Sequence, residues 1–228
     1  MSGFDRPTLT VALQNGLNAL GMQLNATTVG KLIDYLALLS KWNAVYNLTA
    51  VRDPQQMVIH HLLDSLTVWP AFKGVERCLD VGAGGGLPGL VLAICAQQLQ
   101  PDMHIAMVDT VHKKTAFLTQ VKAELGLANV TVHTARVEQL HLDNQCDVIT
   151  SRAFANLADF VSWSSHLLAS GGRFIAMKGQ IPHEEIAGLP HGWEVSAMQS
   201  LQVPGLQAER HLITIRRCVA SGVAAAAS

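Results

Sequence analysis

The stretch Leu79-Asp80-Val81-Gly82-Ala83-Gly84-Gly85-Gly86-Leu87-Pro88-Gly89 constrains this chain more than any other. An apolar run ends in an acidic residue, a glycine cluster follows, and the apolar run Leu90–Ile94 comes next. Glycine has no Cβ, so it tolerates positive φ and lets another group approach the backbone closely. A strand, a tight glycine turn and a buried helix are therefore expected. Pro88 suits a first helical position, where a missing N–H costs nothing.

The register of the glycines bears on the ligand. The dinucleotide fingerprint is G-x-G-x-x-G. Begun at Gly82 it fails, because its third position is Leu87; begun at Gly84 it matches Gly84, Gly86 and Gly89, too far beyond the strand for the tight phosphate turn. Gly82, Gly84 and Gly86 instead fit D-x-G-x-G-x-G, the pattern by which S-adenosylmethionine enzymes are usually known. Asp80 at the strand end would repel a pyrophosphate but could hold a water or the ammonium of a methionine-derived cofactor. The alternative is a glycine-rich loop with no ligand.

A second anchor is His104-Ile105-Ala106-Met107-Val108-Asp109, mostly apolar as befits a strand buried on both faces. An acidic residue about 20 residues past the glycine turn can accept both ribose hydroxyls. NAD and S-adenosylmethionine share that ribose, so Asp109 supports a crevice without choosing between them. It could also cap the helix that follows.

Residues 1–75 read as helices, with leucines at 9, 13, 17 and 20, then Val29, Leu32, Ile33, Leu36 and Leu39, then Met57, His61, Leu62, Leu66 and Val68 at helical spacing. From 76 to 217 strands near 77–81, 104–108, 129–133, 146–150, 173–178, 192–198 and 210–216 alternate with helices near 88–98, 112–125, 157–169 and 182–188. Such alternation implies right-handed β-α-β units and a mostly parallel sheet. No helix-sized gap separates the last two strands, which could pair antiparallel. Residues 218–228, ending in Ala224-Ala225-Ala226-Ala227-Ser228, read as a disordered tail.

Apolar residues make up 49% and charged residues 14%, enough for a sizeable core, and a net charge of −1 speaks against gross electrostatic binding of nucleic acid while leaving room for a local basic face. Cys78, Cys95, Cys146 and Cys218 form no C-x-x-C and read as buried free thiols of a reducing cytosol. The first residues carry no basic start with an apolar signal core, and no run approaches the roughly 18 to 20 apolar residues of a membrane span. A cytoplasmic chain, monomeric in the simplest case, is expected.

Five segments fall in one order: Trp42-Asn43 with Asn47-Leu48-Thr49, His60-His61-Leu62-Leu63-Asp64-Ser65, the loop from Asp80 to Gly89, Ser151-Arg152-Ala153, and Met177-Lys178-Gly179. From about residue 30 to about 217 the chain resembles the RsmG (GidB) family of bacterial 16S ribosomal RNA methyltransferases. The resemblance implies an α/β, Rossmann-like class I S-adenosylmethionine-dependent methyltransferase fold, a seven-stranded sheet with an N-terminal helical extension. It implies methyl transfer from S-adenosylmethionine to guanine N7 in the 530 loop of 16S rRNA, with the small ribosomal subunit as partner. It places Gly82 and Leu87 of the glycine loop, Val137 and Glu138 on the adenine side, and Arg152 near cofactor and substrate. His112 stands where relatives commonly carry glycine, and Gly84-Gly85-Gly86 is richer in glycine than usual.

Guanine N7 offers a lone pair and carries no proton, so orientation rather than a general base must supply the acceleration. The strand Cys146–Thr150 runs into Ser151-Arg152-Ala153-Phe154; the Asn/Asp-Pro-Pro-aromatic motif of amino-group methyltransferases is absent there, as is the Pro-Cys of C5-pyrimidine enzymes. Arg152 lies just past a strand's carboxyl end, where open α/β sheets bind ligands, and could contact a phosphate or guanine O6. Its structural alternative is a salt bridge to Asp147 or Glu138. Lys178 could hold a phosphate from another strand end or be simply solvated. Lys113, Lys114 and Arg136 could widen a basic face. Trp42, Tyr46 and Asn47 could line an RNA cleft, or Trp42 could belong to a satellite core. His60 and Asp64, four apart, read as a hydrogen-bonded pair, with no third ligand at a metal-like spacing; no metal is expected.

Overall fold

In the computed structural model the chain is described over residues 4–152, 154 and 156–218. The remainder, including Ala153 and residues 219–228 of the expected tail, lies outside the described residues.

Three helical stretches lead. They are α1 (Arg6–Ala19), α2 (Ala26–Tyr46), and a third that starts as α3 (Pro54–Met57), passes through a π-helical turn (Val58–Leu63) and ends as α4 (Asp64–Thr67). α2 begins where the Asn25 side chain accepts from the Thr28 N–H and ends at Asn47 in the left-handed region (φ 51°), a conformation asparagine tolerates. The rest alternates: β1 (Arg77–Val81), α5 (Gly89–Leu99), β2 (His104–Asp109), α6 (His112–Leu125), β3 (Val130–Thr134), β4 (Cys146–Ser151), α7 (Leu157–Ser164), β5 (Leu168–Lys178), α8 (His183–Ala187), β6 (Trp193–Ser200) and β7 (His211–Arg217).

The strands form one sheet in the order β3-β2-β1-β4-β5-β7-β6. The pairs from β3 to β5 are parallel, and β7 runs antiparallel to both β5 and β6. Successive strand residues face opposite layers. Cys78, Val148 and Ile175 enter the apolar cluster shared with α2, α5 and α6, while Leu79, Ile149 and Phe174 enter the one shared with α7. Burial on both faces explains why these strands read as continuous apolar runs. Helix α5 is buried at every position from Gly89 to Ala96. The N-terminal helices contribute Leu9, Leu13, Leu32 and Leu36 to the same cluster as Leu90 and Leu118, so they share one core with the sheet's helices.

The strand order reverses between β1 and β4, and crevices for ligands form outside the carboxyl ends at such a point. Three local expectations are corrected. The helix after the glycines starts at Gly89, with Pro88 as its N-cap. The expected helix 157–169 stops at Ser164, runs through a 3-10 turn to Leu167, and gives way to β5. Cys78, Cys95 and Cys146 are buried free thiols, but Cys218 is exposed. Among the described residues no helix is long and apolar enough to cross a membrane.

Candidate cofactor crevice and adjoining polar cavity

The turn after β1 is held to β2, since the N–H groups of Gly82 and Ala83 both donate to the Val108 carbonyl, at 2.9 and 3.1 Å. Gly82, Gly84 and Gly86 all have positive φ (69°, 54° and 91°), which explains their residue type. Their surroundings differ. A Cβ on Gly86 would come within 2.3 Å of Leu90, so protein packs there. A Cβ on Gly82 would meet nothing within 4 Å. That open side of Gly82 faces a cavity of about 350 Å³, also lined by Val81, Asp109, Lys114, Val137, Glu138 and the aromatics Phe154 and Trp163. Volume and mixed apolar-acidic lining fit an adenosine-bearing cofactor.

Asp109 is buried yet borders the crevice. Its Oδ2 accepts from the Gly84 N–H (3.0 Å) and its Oδ1 from the Val111 N–H (2.9 Å), with Lys114 Nζ at 3.5 Å. It therefore fastens the glycine loop to the loop after β2. It is not the cap of α6, whose N-cap is Val111 without a side-chain bond. Val137 and Glu138 reach the wall through a 3-10 turn after β3. Arg136 pairs with Glu138 at 3.8 Å, so that cation and Lys114 are already engaged locally.

Asp80 is placed beneath the loop and not on the crevice wall. It has no solvent exposure, and its Oδ2 accepts from the Gly89 N–H at 2.9 Å, anchoring the start of α5. Burial pushes its carboxyl up to about 7, against the Gly89 bond and the Arg152 charge, which lower it. Leu87 is likewise buried, and Gly84, Gly86 and Leu87 shape the loop from behind the Gly82 surface.

Arg152 lies on the other side of the β4 end. It lines a second, polar cavity of about 400 Å³ with His60, His61, Asp64, Lys178 and Arg210, while Phe154, two residues on, lines the first. Its partner is neither Asp147 nor Glu138. Arg152 Nη1 donates to the His60 carbonyl (3.1 Å) and to Asp64 Oδ2 (3.3 Å), and Asp147 instead accepts from the N–H groups of Glu76 and Arg77. Asp64 also accepts from Arg210 Nε at 2.8 Å. The expected His60–Asp64 pair is thus corrected. The π turn makes each residue advance less around the axis than an α-helix does, and His60 Nε2 lies 3.2 Å from Gln56 Oε1.

Lys178 is not a solvated lysine. Its ammonium sits 2.8 Å from Glu185 Oε2 and 3.1 Å from the Phe154 carbonyl. His61 Nε2 lies 2.9 Å from Thr49 Oγ1, and burial together with the Arg152 charge pulls its imidazole down to about 4, so it is neutral near pH 7. Asn43 is buried and fixes the same loop, accepting from the Thr49 N–H and donating to the Val51 carbonyl. Asn47 accepts from Arg52. Trp42 stacks near Tyr46 and Phe117 and donates to Gln120, which ties α2 to α6 rather than making a separate core. Among the described residues no group of three or more His, Cys, Asp or Glu side chains is placed to hold a metal.

Residues 28–213 match the sequence profile of the GidB family, described as rRNA small subunit methyltransferase G. The chain belongs to the rRNA small subunit methyltransferase G family. A relative of that name from Janthinobacterium sp. (strain Marseille) is 64% identical over 96% of this chain and 100% of its own length. One from Neisseria meningitidis serogroup B is 51% identical over 90% and 97%. The fold is that of class I methyltransferases. The O-methyltransferase TomG from Streptomyces achromogenes, solved with S-adenosylmethionine, superposes with a TM-score of 0.54 at 17% identity, covering 82% of this chain and 90% of TomG. An S-adenosylmethionine-dependent methyltransferase from Geobacter sulfurreducens superposes at 0.52 and 13% identity, covering 80% and 98%.

Tyr35, Thr49, Phe154, Trp163 and Arg210 were not singled out as site residues by the sequence. Tyr35 carried a signal, a hydroxyl inside the apolar stripe of α2. Arg210 carried none, since it precedes β7 like any exposed strand-end cation.

Proposed function

We propose that this chain transfers a methyl group from S-adenosylmethionine to guanine N7 in the 530 loop of 16S rRNA, acting in the cytoplasm as a monomer on RNA of the small ribosomal subunit. The observation that carries the reading is the family match over residues 28–213. The open surface at Gly82 supports it, since the crevice leaves room for a ligand where the cofactor turn is expected.

The bound sulfonium supplies an activated methyl group. Asp109, kept oriented by its loop bonds, would accept from the ribose hydroxyls, and Val137, Glu138, Phe154 and Trp163 would enclose the adenine side. Asp80 holds the start of α5 and so the glycine loop. The helical extension over residues 1–75 shares its core with the methyltransferase domain over residues 76–217 and buttresses it. Guanine N7 presents its lone pair without losing a proton, so the residues around Arg152 need only orient the nucleotide and exclude water. Arg152 acts through contacts away from N7, because the base gains positive charge as the bond forms.

The test is to incubate the purified chain with radiolabelled S-adenosylmethionine and small subunits from a strain lacking the enzyme. Label in 16S RNA is expected, and its absence overturns the reading.

A further inference from the structure

We infer that the polar cavity beside the cofactor crevice is a phosphodiester subsite, in which the guanidiniums of Arg152 and Arg210, fixed on the shared carboxylate of Asp64, take one backbone phosphate of the substrate RNA. This deepens the function proposed above and rests on it.

Asp64 is buried and fully used, with Oδ1 bound by Arg210 Nε at 2.8 Å and Oδ2 by Arg152 Nη1 at 3.3 Å. The two arginines come from separate strands that flank β5 in the sheet. Arg152 follows β4, and Arg210 precedes β7, whose first residue His211 pairs with Lys178 at the end of β5. Asp64 follows the π turn that also brings His60 and His61 to the cavity. Three separate segments thus converge on one carboxylate, and π turns of this kind are frequent at functional sites.

The donors left over point to an anion. Arg152 Nη1 is taken by Asp64 and the His60 carbonyl, and Arg210 Nη1 by the Glu209 carbonyl. Arg152 Nε and Nη2 and Arg210 Nη2 carry no partner among the described residues. Both side chains are about a quarter exposed, so these donors are held in place without being sealed off. Two guanidiniums on one carboxylate leave one formal positive charge. Glu185 offsets Lys178, and His61 is neutral. A single phosphodiester closes that charge. A bidentate reading of guanine by either arginine would occupy N7 itself, the atom that must stay free, which favours phosphate over base.

The cavity's position fits this use. Arg152 and Phe154 are two residues apart and face the polar cavity and the crevice respectively, so a phosphate seated on Arg152 and Arg210 places its nucleotide beside the cofactor.

The test is equilibrium binding of small subunits lacking the modification, across a salt series, for wild type, Arg210→Gln and Arg210→Lys. Circular dichroism and the S-adenosylmethionine Kd serve as controls for fold and crevice. Arg210→Gln is expected to weaken subunit binding about tenfold and to reduce the slope of log K against log salt by about 1, the mark of one lost phosphate contact, with cofactor Kd unchanged. Arg210→Lys is expected to restore the slope but only part of the affinity, since a point charge replaces a fork. An Arg210→Gln slope and affinity equal to wild type overturn the subsite. Binding requires no methyl transfer, so a wild type that binds with the expected slope yet labels no 16S RNA overturns the function and leaves the subsite standing.

Discussion

The Tyr35 hydroxyl donates a 2.7 Å hydrogen bond to the carbonyl of Gly85. Tyr35 is fully buried on α2, and Gly85 is the middle of the three consecutive glycines, so a helix of the N-terminal extension holds the cofactor loop from behind. Gly85 also lies against Leu39 and the Leu48 carbonyl. The extension is thereby part of the crevice's support. Tyr35→Phe removes the donor and little volume, and a lost hydrogen bond of this kind costs about 1 kcal/mol. The S-adenosylmethionine Kd is expected to rise about fivefold, the equivalent of that energy, with near-wild-type helicity. Calorimetric titration checks it; an unchanged Kd means the loop holds its shape without α2.

Gly82 and Gly89 respond differently to the same substitution, because the new methyl meets open space at one and packed side chains at the other. At Gly82 an alanine costs about 1 to 2 kcal/mol for its left-handed backbone, but its Cβ meets open space. Gly82→Ala therefore folds and loses cofactor affinity, by about tenfold or more if the methyl takes ligand space worth 1.4 kcal/mol. At Gly89 the backbone is helical, where alanine gains about 1 kcal/mol. Its Cβ, however, would stand 2.3 Å from Met107 Cε and 2.7 Å from Asp80 Oδ2. Overpacking of that kind costs about 1 to 3 kcal/mol and outweighs the propensity. Gly89→Ala should lower the melting temperature. Both variants lose stability, so cofactor titration of the folded proteins separates the two cases: the larger loss of affinity is expected for Gly82→Ala, and equal losses would contradict the distinction.

Asp109 engages two backbone N–H groups and the crevice at once. Asp109→Ala is expected to weaken S-adenosylmethionine binding by about tenfold or more, charge-assisted hydrogen bonds being the stronger class. Unchanged affinity for the cofactor removes Asp109 from the ribose.

Asp80 predicts a pH dependence of stability. Its carboxyl is raised from 3.8 to about 7 by burial, so between those values the folded chain binds a proton that the unfolded chain has released. Stability from this group is therefore intact below about pH 4, falls as pH rises, and is lost above about pH 7. His61, lowered to about 4, works the other way, its contribution growing as pH rises from about 4 to about 6.5. Comparing Asp80→Asn with wild type cancels His61. The variant should gain on the order of 3 kcal/mol relative to wild type between pH 4 and pH 8. Urea unfolding at both pH values checks it, and a constant difference between the two proteins would contradict the burial account.

The β-α alternation was legible because the strands are buried on both faces and bounded by Gly, Asp and Pro, as in Leu79–Gly82 and Val108–Asp109. The antiparallel end was legible from the short Leu201–Gly205 link. The polar cavity was not. Met57, His61, Leu62 and Leu66 suit an α-helix, and nothing in their spacing announces a π turn, so His60 and Asp64 were read as partners. Arg152 was found through its strand end, but its partner Asp64 lies far away in sequence on α4, and Arg210, which shares that carboxylate, is brought to it from the start of β7 by the β5-β7 pairing. Asp80 was legible as special, but sequence shows an acidic residue at a strand end and not that a helix N–H sits above it.

The most direct test of the central claim is to locate the transferred methyl group. Small subunits lacking the modification are incubated with wild-type protein and S-adenosylmethionine, and the 16S RNA is reduced with borohydride and cleaved with aniline, which breaks the chain at N7-methylated guanine. The account predicts one new cleavage, within the 530 loop, that disappears with Arg152→Ala while that variant keeps its fold. Cleavage elsewhere, no new cleavage at all, or full modification by Arg152→Ala would contradict it.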